Sequence, residues 1–224
     1  MQQPLTWNNR PKTIVLPHDE LHLWRVDLAA IEADIGQLSD DERERAERIS
    51  DKQLKQRFIS SRCSLRQILA CYIGCHPATI NFNYGEKGKP TVAAVASAPQ
   101  FNMSHADDLA IIAISDQAIG VDIEPIRSRR GMLRVARRLM GETFAHQLET
   151  LDPDHQTEVF LQRWTELEAC VKAAGAGVFD QRLLQQHTIH ACPFQPAAGW
   201  VGNLALLDDT PQEKKWLTFT WPST

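Results

Sequence analysis

Two hydrophobic periods alternate along this chain and divide it into elements. Leu21-His22-Leu23-Trp24-Arg25-Val26-Asp27-Leu28 predicts a first strand. Ser39-Asp40-Asp41-Glu42 predicts a helix start, with Ser39 capping and Glu42 closing a capping box. A longer helix is predicted over Lys52–Ile73, its buried stripe formed by Phe58, Ile59, Cys63, Leu65, Ile68 and Leu69, with Arg57, Arg62 and Arg66 along the other side. Ile80–Tyr84 alternates like a strand, and Gly85-Glu86-Lys87-Gly88-Lys89-Pro90 reads as a turn. Leu109–Ile114 and Ile119–Glu124 predict strands joined by a turn at Ser115-Asp116-Gln117. Phe160–Ala174 predicts a helix with Phe160, Trp164, Leu167 and Val171 as its buried stripe, Glu168 paired with Lys172 four residues on, and Gly175 and Gly177 ending it. Strands follow at His187–Cys192, Trp200–Leu207 and Trp216–Trp221. The first twenty residues, polar and broken by proline, read as a loosely attached arm.

The chain has 224 residues, 43% hydrophobic and 23% charged, enough apolar content for a packed core. A net charge of −4 argues against a general nucleic-acid binder. The opening residues show neither a basic n-region nor an apolar h-region, and no run reaches the length of a membrane span. With five cysteines, an odd count, the expectation is reduced thiols in a cytoplasmic protein that touches no membrane. Cys71, Cys75 and His76 have a faint metal spacing, but no second pair completes it, and buried thiols are expected.

Candidate chemistry begins at Ile119-Gly120-Val121-Asp122-Ile123-Glu124. On a strand, Asp122 and Glu124 share a face. Two carboxylates so placed repel unless a positive charge lies between them, and a hard divalent cation such as Mg²⁺ suits oxygen ligands. The competing reading is a solvated strand face.

That choice is decided by two further stretches. Gly88-Lys89-Pro90 with Phe101-Asn102-Met103-Ser104-His105 precedes the hexapeptide, and Trp164-Thr165-Glu166-Leu167-Glu168-Ala169-Cys170-Val171-Lys172-Ala173-Ala174-Gly175 follows it. In this order the chain resembles the 4′-phosphopantetheinyl transferases of the long, monomeric Sfp type, from about Leu21 to the C-terminus. The resemblance implies an α/β (α+β) fold of two similar halves related by a pseudo-twofold, each a small sheet packed by helices. The halves are expected at residues 1–117 and 118–224, with the active site between them. It implies transfer of the phosphopantetheine arm of coenzyme A to a serine of an apo acyl or peptidyl carrier protein, releasing 3′,5′-ADP.

Carried over residue by residue, the resemblance makes Asp122, Glu124 and Glu168 the ligands of Mg²⁺, with Mn²⁺ as an alternative, and Glu168 a candidate base. Lys172, Lys89, Ser104 and His105 fall on coenzyme A phosphate contacts, and Arg57 falls near the basic positions that hold the nucleotide. Two positions depart from the pattern. Leu167 stands where most members have lysine before the helix glutamate, and Glu42 stands where many have a base. Arg163 is a possible replacement for the missing lysine, and Glu42 predicts weaker coenzyme A binding. The basic segment Arg127–Arg138 suits docking of an acidic carrier protein. Rival readings are another Mg²⁺-dependent phosphoryl-transfer enzyme and a non-catalytic carrier- or nucleotide-binding relative. Against the first, Glu168 and Lys172 have helical spacing, whereas the E-x-K of nucleases lies on a strand.

Overall fold

A computed structural model of the chain describes residues 4–95, 98–177 and 187–222; the start of the N-terminal arm, residues 1–3, lies outside them. The elements in chain order are β1 (Glu20–Asp27), α1 (Asp40–Glu47), α2 (Lys52–Ile73), β2 (Phe82–Tyr84), β3 (Pro90–Val92), β4 (Gln100–Ala106), β5 (Leu109–Ser115) and β6 (Ile119–Pro125). There follow α3 (Met132–Met140), α4 (Glu142–Glu149), α5 (Pro153–Ala174), β7 (Ile189–Phe194), β8 (Trp200–Leu207) and β9 (Lys215–Trp221). Among the described residues no helix is long and apolar enough to cross a membrane.

Four layers result, α2, a first sheet, a second sheet and α5. The first sheet has the order β4-β5-β1-β9 and the second β6-β8-β7, while β2 and β3 form a separate hairpin. Alternation along each strand distributes side chains between the layers. In β1 and β5, Trp24, Val26, Ala110, Ile112 and Ile114 pack with Leu65, Ile68 and Leu69 of α2. Their alternates Leu21, Leu23, Ile111 and Ala113 pack with Val121, Ile123, Leu204 and Leu206 of the second sheet. β5 is buried at every position because both its faces are covered, hence its unbroken apolar run.

The halves correspond in topology. The order β1-β5-β4 is antiparallel throughout, as is β6-β8-β7. Each half carries one 22-residue helix, α2 or α5, that ends at a left-handed glycine, Gly74 or Gly175. β9 breaks the correspondence, because it pairs parallel with β1 and so completes the first sheet from the far end of the chain.

Two expectations are corrected. The arm is not loose: Leu5 N–H donates to Gln195 O, Asn8 N–H to Thr218 O, and the Trp7 indole to Pro196 O. Its backbone polar groups thus lie along β9 and the end of β7. The α5 stripe is corrected in part. Phe160 and Val171 are buried as expected, but Trp164 and Leu167 are half-buried, and Leu161, Thr165, Ala169 and Ala173 are turned inward beside them. The reason is Gly120: a Cβ there would lie 2.0 Å from Ala169 O and 2.4 Å from Ala173 N, so helix and strand meet backbone to backbone. Only small side chains fit such an approach. α5 also begins earlier than expected, at Pro153 behind the Asp152 cap.

Candidate active site

β6 is bonded to β8 along one edge and has its other edge toward β4. Ala118 O accepts from Leu207 N, which places the polar groups of alternate residues toward β8 and leaves those of Ile119, Val121 and Ile123 on the opposite edge. Side chains satisfy that edge. Lys89 Nζ donates to Ile119 O at 3.2 Å, Asn102 Oδ1 accepts from Val121 N at 2.9 Å, Lys172 Nζ donates to Val121 O at 3.2 Å, and Ser104 Oγ accepts from Ile123 N at 3.3 Å. The three sequence stretches therefore meet on one strand, at the join of the two sheets.

On the α5 face of β6 stands Asp122, buried to 6% exposure. One of its oxygens, Oδ1, accepts from Ser104 Oγ at 2.8 Å and from Lys172 Nζ at 2.7 Å. Its other oxygen, Oδ2, is buried with no hydrogen-bond partner among the described residues. Burial raises the pKa of Glu168; Lys172 opposes this, and Asp122 and Glu124 add to it. Burial likewise raises Glu124, against the pull of Arg129, which donates to its Oε2. The three acids thus lie in one another's field. Behind them Asn203, the register partner of Asp122, donates to Gln162 O and Thr165 Oγ1 and ties β8 to α5.

The expected Glu168–Lys172 pair is replaced by Lys172–Asp122. The close approach at Gly120 brings the ammonium to a buried carboxylate, a stronger partner than a half-buried one. Lys89 points inward, to Ile119 O and, at 2.9 Å, to Ala173 O, and burial lowers its pKa to about 8. Arg57 is engaged by Asp108 through two bonds of 2.7 and 3.1 Å. Arg163 pairs with Glu166 at 2.7 Å.

His105 opens onto a neighbouring pocket of about 380 Å³, shared with Glu42, Arg45, Phe58, Arg62 and Tyr84. Surrounding protein lowers the His105 pKa, and Lys172 and Arg57 lower it further. The cations of this pocket, Arg45 and Arg62, were not assigned a role from sequence. Glu42 was read as an acid facing the nucleotide, but its carboxylate is held between Arg62 and Arg66, with Arg66 Nε at 2.7 Å. Burial works to raise its pKa, but the two arginines and the Ser39 backbone N–H together outweigh burial, so the net shift is downward. Its contribution is full above the ordinary value of 4.5 and is lost as the pH falls below it. Glu42→Gln leaves Arg66, which is 0% exposed, without a counter-charge. The expected cost is about 3 kcal/mol, the lower end for breaking a buried pair, checked by urea unfolding.

Cys71 and Cys75 are half-buried free thiols. Among the described residues no three His, Cys, Asp or Glu side chains are grouped closely enough to hold a metal ion as they stand. The donors nevertheless fit a hard divalent cation. Asp122 Oδ2 is a bare, buried carboxylate oxygen, and Glu124 and Glu168 are acids whose ionised forms burial disfavours.

Residues 22–117 match the profile described as 4′-phosphopantetheinyl transferase, N-terminal, and residues 118–219 that of the 4′-phosphopantetheinyl transferase superfamily. The chain is 33% identical over 199 residues to 4′-phosphopantetheinyl transferase HetI of Nostoc sp., covering 86% of this chain and 83% of that protein. It is 30% identical over 217 residues to a putative 4′-phosphopantetheinyl transferase of Synechocystis sp., covering 92% and 88%. With 4′-phosphopantetheinyl transferase Sfp of Bacillus subtilis it shares 29% identity over 141 residues, 63% and 62% of the two chains. Matches running from residue 22 to residue 219, across both sheets and the strand where the motifs meet, make this chain a member of the 4′-phosphopantetheinyl transferase superfamily.

Proposed function

We propose that the chain moves the 4′-phosphopantetheine arm of coenzyme A to a serine hydroxyl of an apo acyl or peptidyl carrier protein, with 3′,5′-ADP as the leaving group. Mg²⁺, or Mn²⁺, would be held by Asp122, Glu124 and Glu168. The observation that carries this reading is the bare Asp122 Oδ2, in a carboxylate bonded by Lys172 and by Ser104, whose chain neighbour His105 lines a pocket with Arg45 and Arg62. A bound divalent cation supplies charge neutralisation at the diphosphate. Arg45, Arg62 and His105 bind the nucleotide end in the pocket. Lys172, one bond away from Asp122, supplies positive charge to a phosphate oxygen. Glu168 takes the proton of the carrier serine, directly or through water, as the serine oxygen attacks the β-phosphorus and 3′,5′-ADP leaves.

The carrier would dock by the 127–138 segment. Arg127 is paired with Asp107, Arg129 with Glu124, and Arg137 with Glu142 and Glu149. The charge offered to an acidic carrier therefore comes chiefly from Arg130 and Arg134, which are exposed. A single chain holds both halves, so the reading includes action as a monomer.

The test is the mass of an apo carrier protein after incubation with the chain, coenzyme A and Mg²⁺. A gain of one phosphopantetheine, lost on chelation, is expected. An unchanged mass across acyl and peptidyl carriers, with the chain folded, would overturn the proposal.

A further inference from the structure

Ser104 lies on β4, buried to 6% exposure, within reach of two groups of β6. A serine hydroxyl has one proton to give. Here that proton goes to Asp122 Oδ1, and the oxygen accepts from Ile123 N–H. Lys172 adds a second donor to the same carboxylate oxygen. One oxygen of Asp122 is thus saturated by donors and the other is left bare in a buried position. A carboxylate held in this way offers a cation a single oxygen in one fixed direction.

We propose that Ser104 is a positioning residue for Asp122, which sets the bare carboxylate oxygen toward the cation. The inference rests on the metal reading given under Proposed function. Groups that hold a metal ligand by hydrogen bonding typically change metal affinity about 10- to 100-fold when removed. Asn102 provides an internal control, because it holds Val121 N–H on the same edge without touching Asp122.

The experiment follows Mn²⁺ alone, as the free-ion electron paramagnetic resonance signal during titration of the protein without coenzyme A. Coenzyme A binding is measured separately by calorimetry in chelator. Ser104→Ala is expected to weaken Mn²⁺ binding by about 10-fold or more in the absence of coenzyme A, and Ser104→Thr to restore it. Asn102→Ala is expected to lower the melting temperature while leaving Mn²⁺ binding as it was. Equal Mn²⁺ weakening in Asn102→Ala would overturn the inference, since Ser104 would then act only by supporting the strand. Unchanged Mn²⁺ binding in Ser104→Ala, with or without a loss of coenzyme A affinity, would also overturn it. A wild-type chain that binds no Mn²⁺, with or without coenzyme A, would overturn the metal reading itself.

Discussion

Gly120→Ala is expected to destabilise the protein by about 4–5 kcal/mol or more, the range reached by few single substitutions. The added methyl would lie 2.0 Å from one backbone atom of α5 and 2.4 Å from another. A side chain in the way can change rotamer, whereas a helix backbone cannot. Relief requires α5 to move off β6, which opens the contact of Ala169 and Ala173 with Ala205. For a chain of this size the melting temperature should fall by roughly 10 °C or more. Glu168 and Lys172 flank the two clashing positions on α5, so activity should fall even where the variant folds. A melting temperature within a few degrees of wild type would show that helix and strand are not in backbone contact.

Asp122→Asn is expected to lower turnover by about 10³-fold or more while the fold survives, equivalent to about 4 kcal/mol of barrier. The amide oxygen can still accept from Ser104 and Lys172 in place of Oδ1. The amide NH₂ then replaces the bare oxygen and puts a donor where a cation needs a ligand. Carrier mass gain over time measures the rate, and far-ultraviolet circular dichroism checks the fold. Turnover within 10-fold of wild type would remove Asp122 from the metal-binding role.

Some features could be read without coordinates. α2 spans Lys52–Ile73 as its periodicity predicts, and β5 and β6 fall where their apolar runs place them. The placement of Asp122 and Glu124 on one strand face followed from alternation alone. The meeting of the three motifs was an expectation from the family resemblance. Other features had no local signal. Glu42 finds Arg62 and Arg66 across 20 and 24 residues of chain. The arm finds β9 across 210 residues, through the Asn8 amide and Thr218. The inward face of α5 is legible only in part: Phe160 and Val171 are buried as their spacing predicts, while Ala169 and Ala173 turn inward because a glycine on another element demands small residues there.

The amino-acid sequence by itself determined the long helix α2, most of the strands, the shared face of Asp122 and Glu124, and the resemblance to the family, because periodicity and motif order are properties of neighbouring residues. Only the tertiary structure decided which polar atoms meet. It turned Lys172 toward Asp122 instead of Glu168, joined Ser104 to the same carboxylate, and left one buried oxygen bare. Those pairings depend on how closely α5 and β4 approach β6, a distance set by packing across the whole chain and encoded in no single stretch of it.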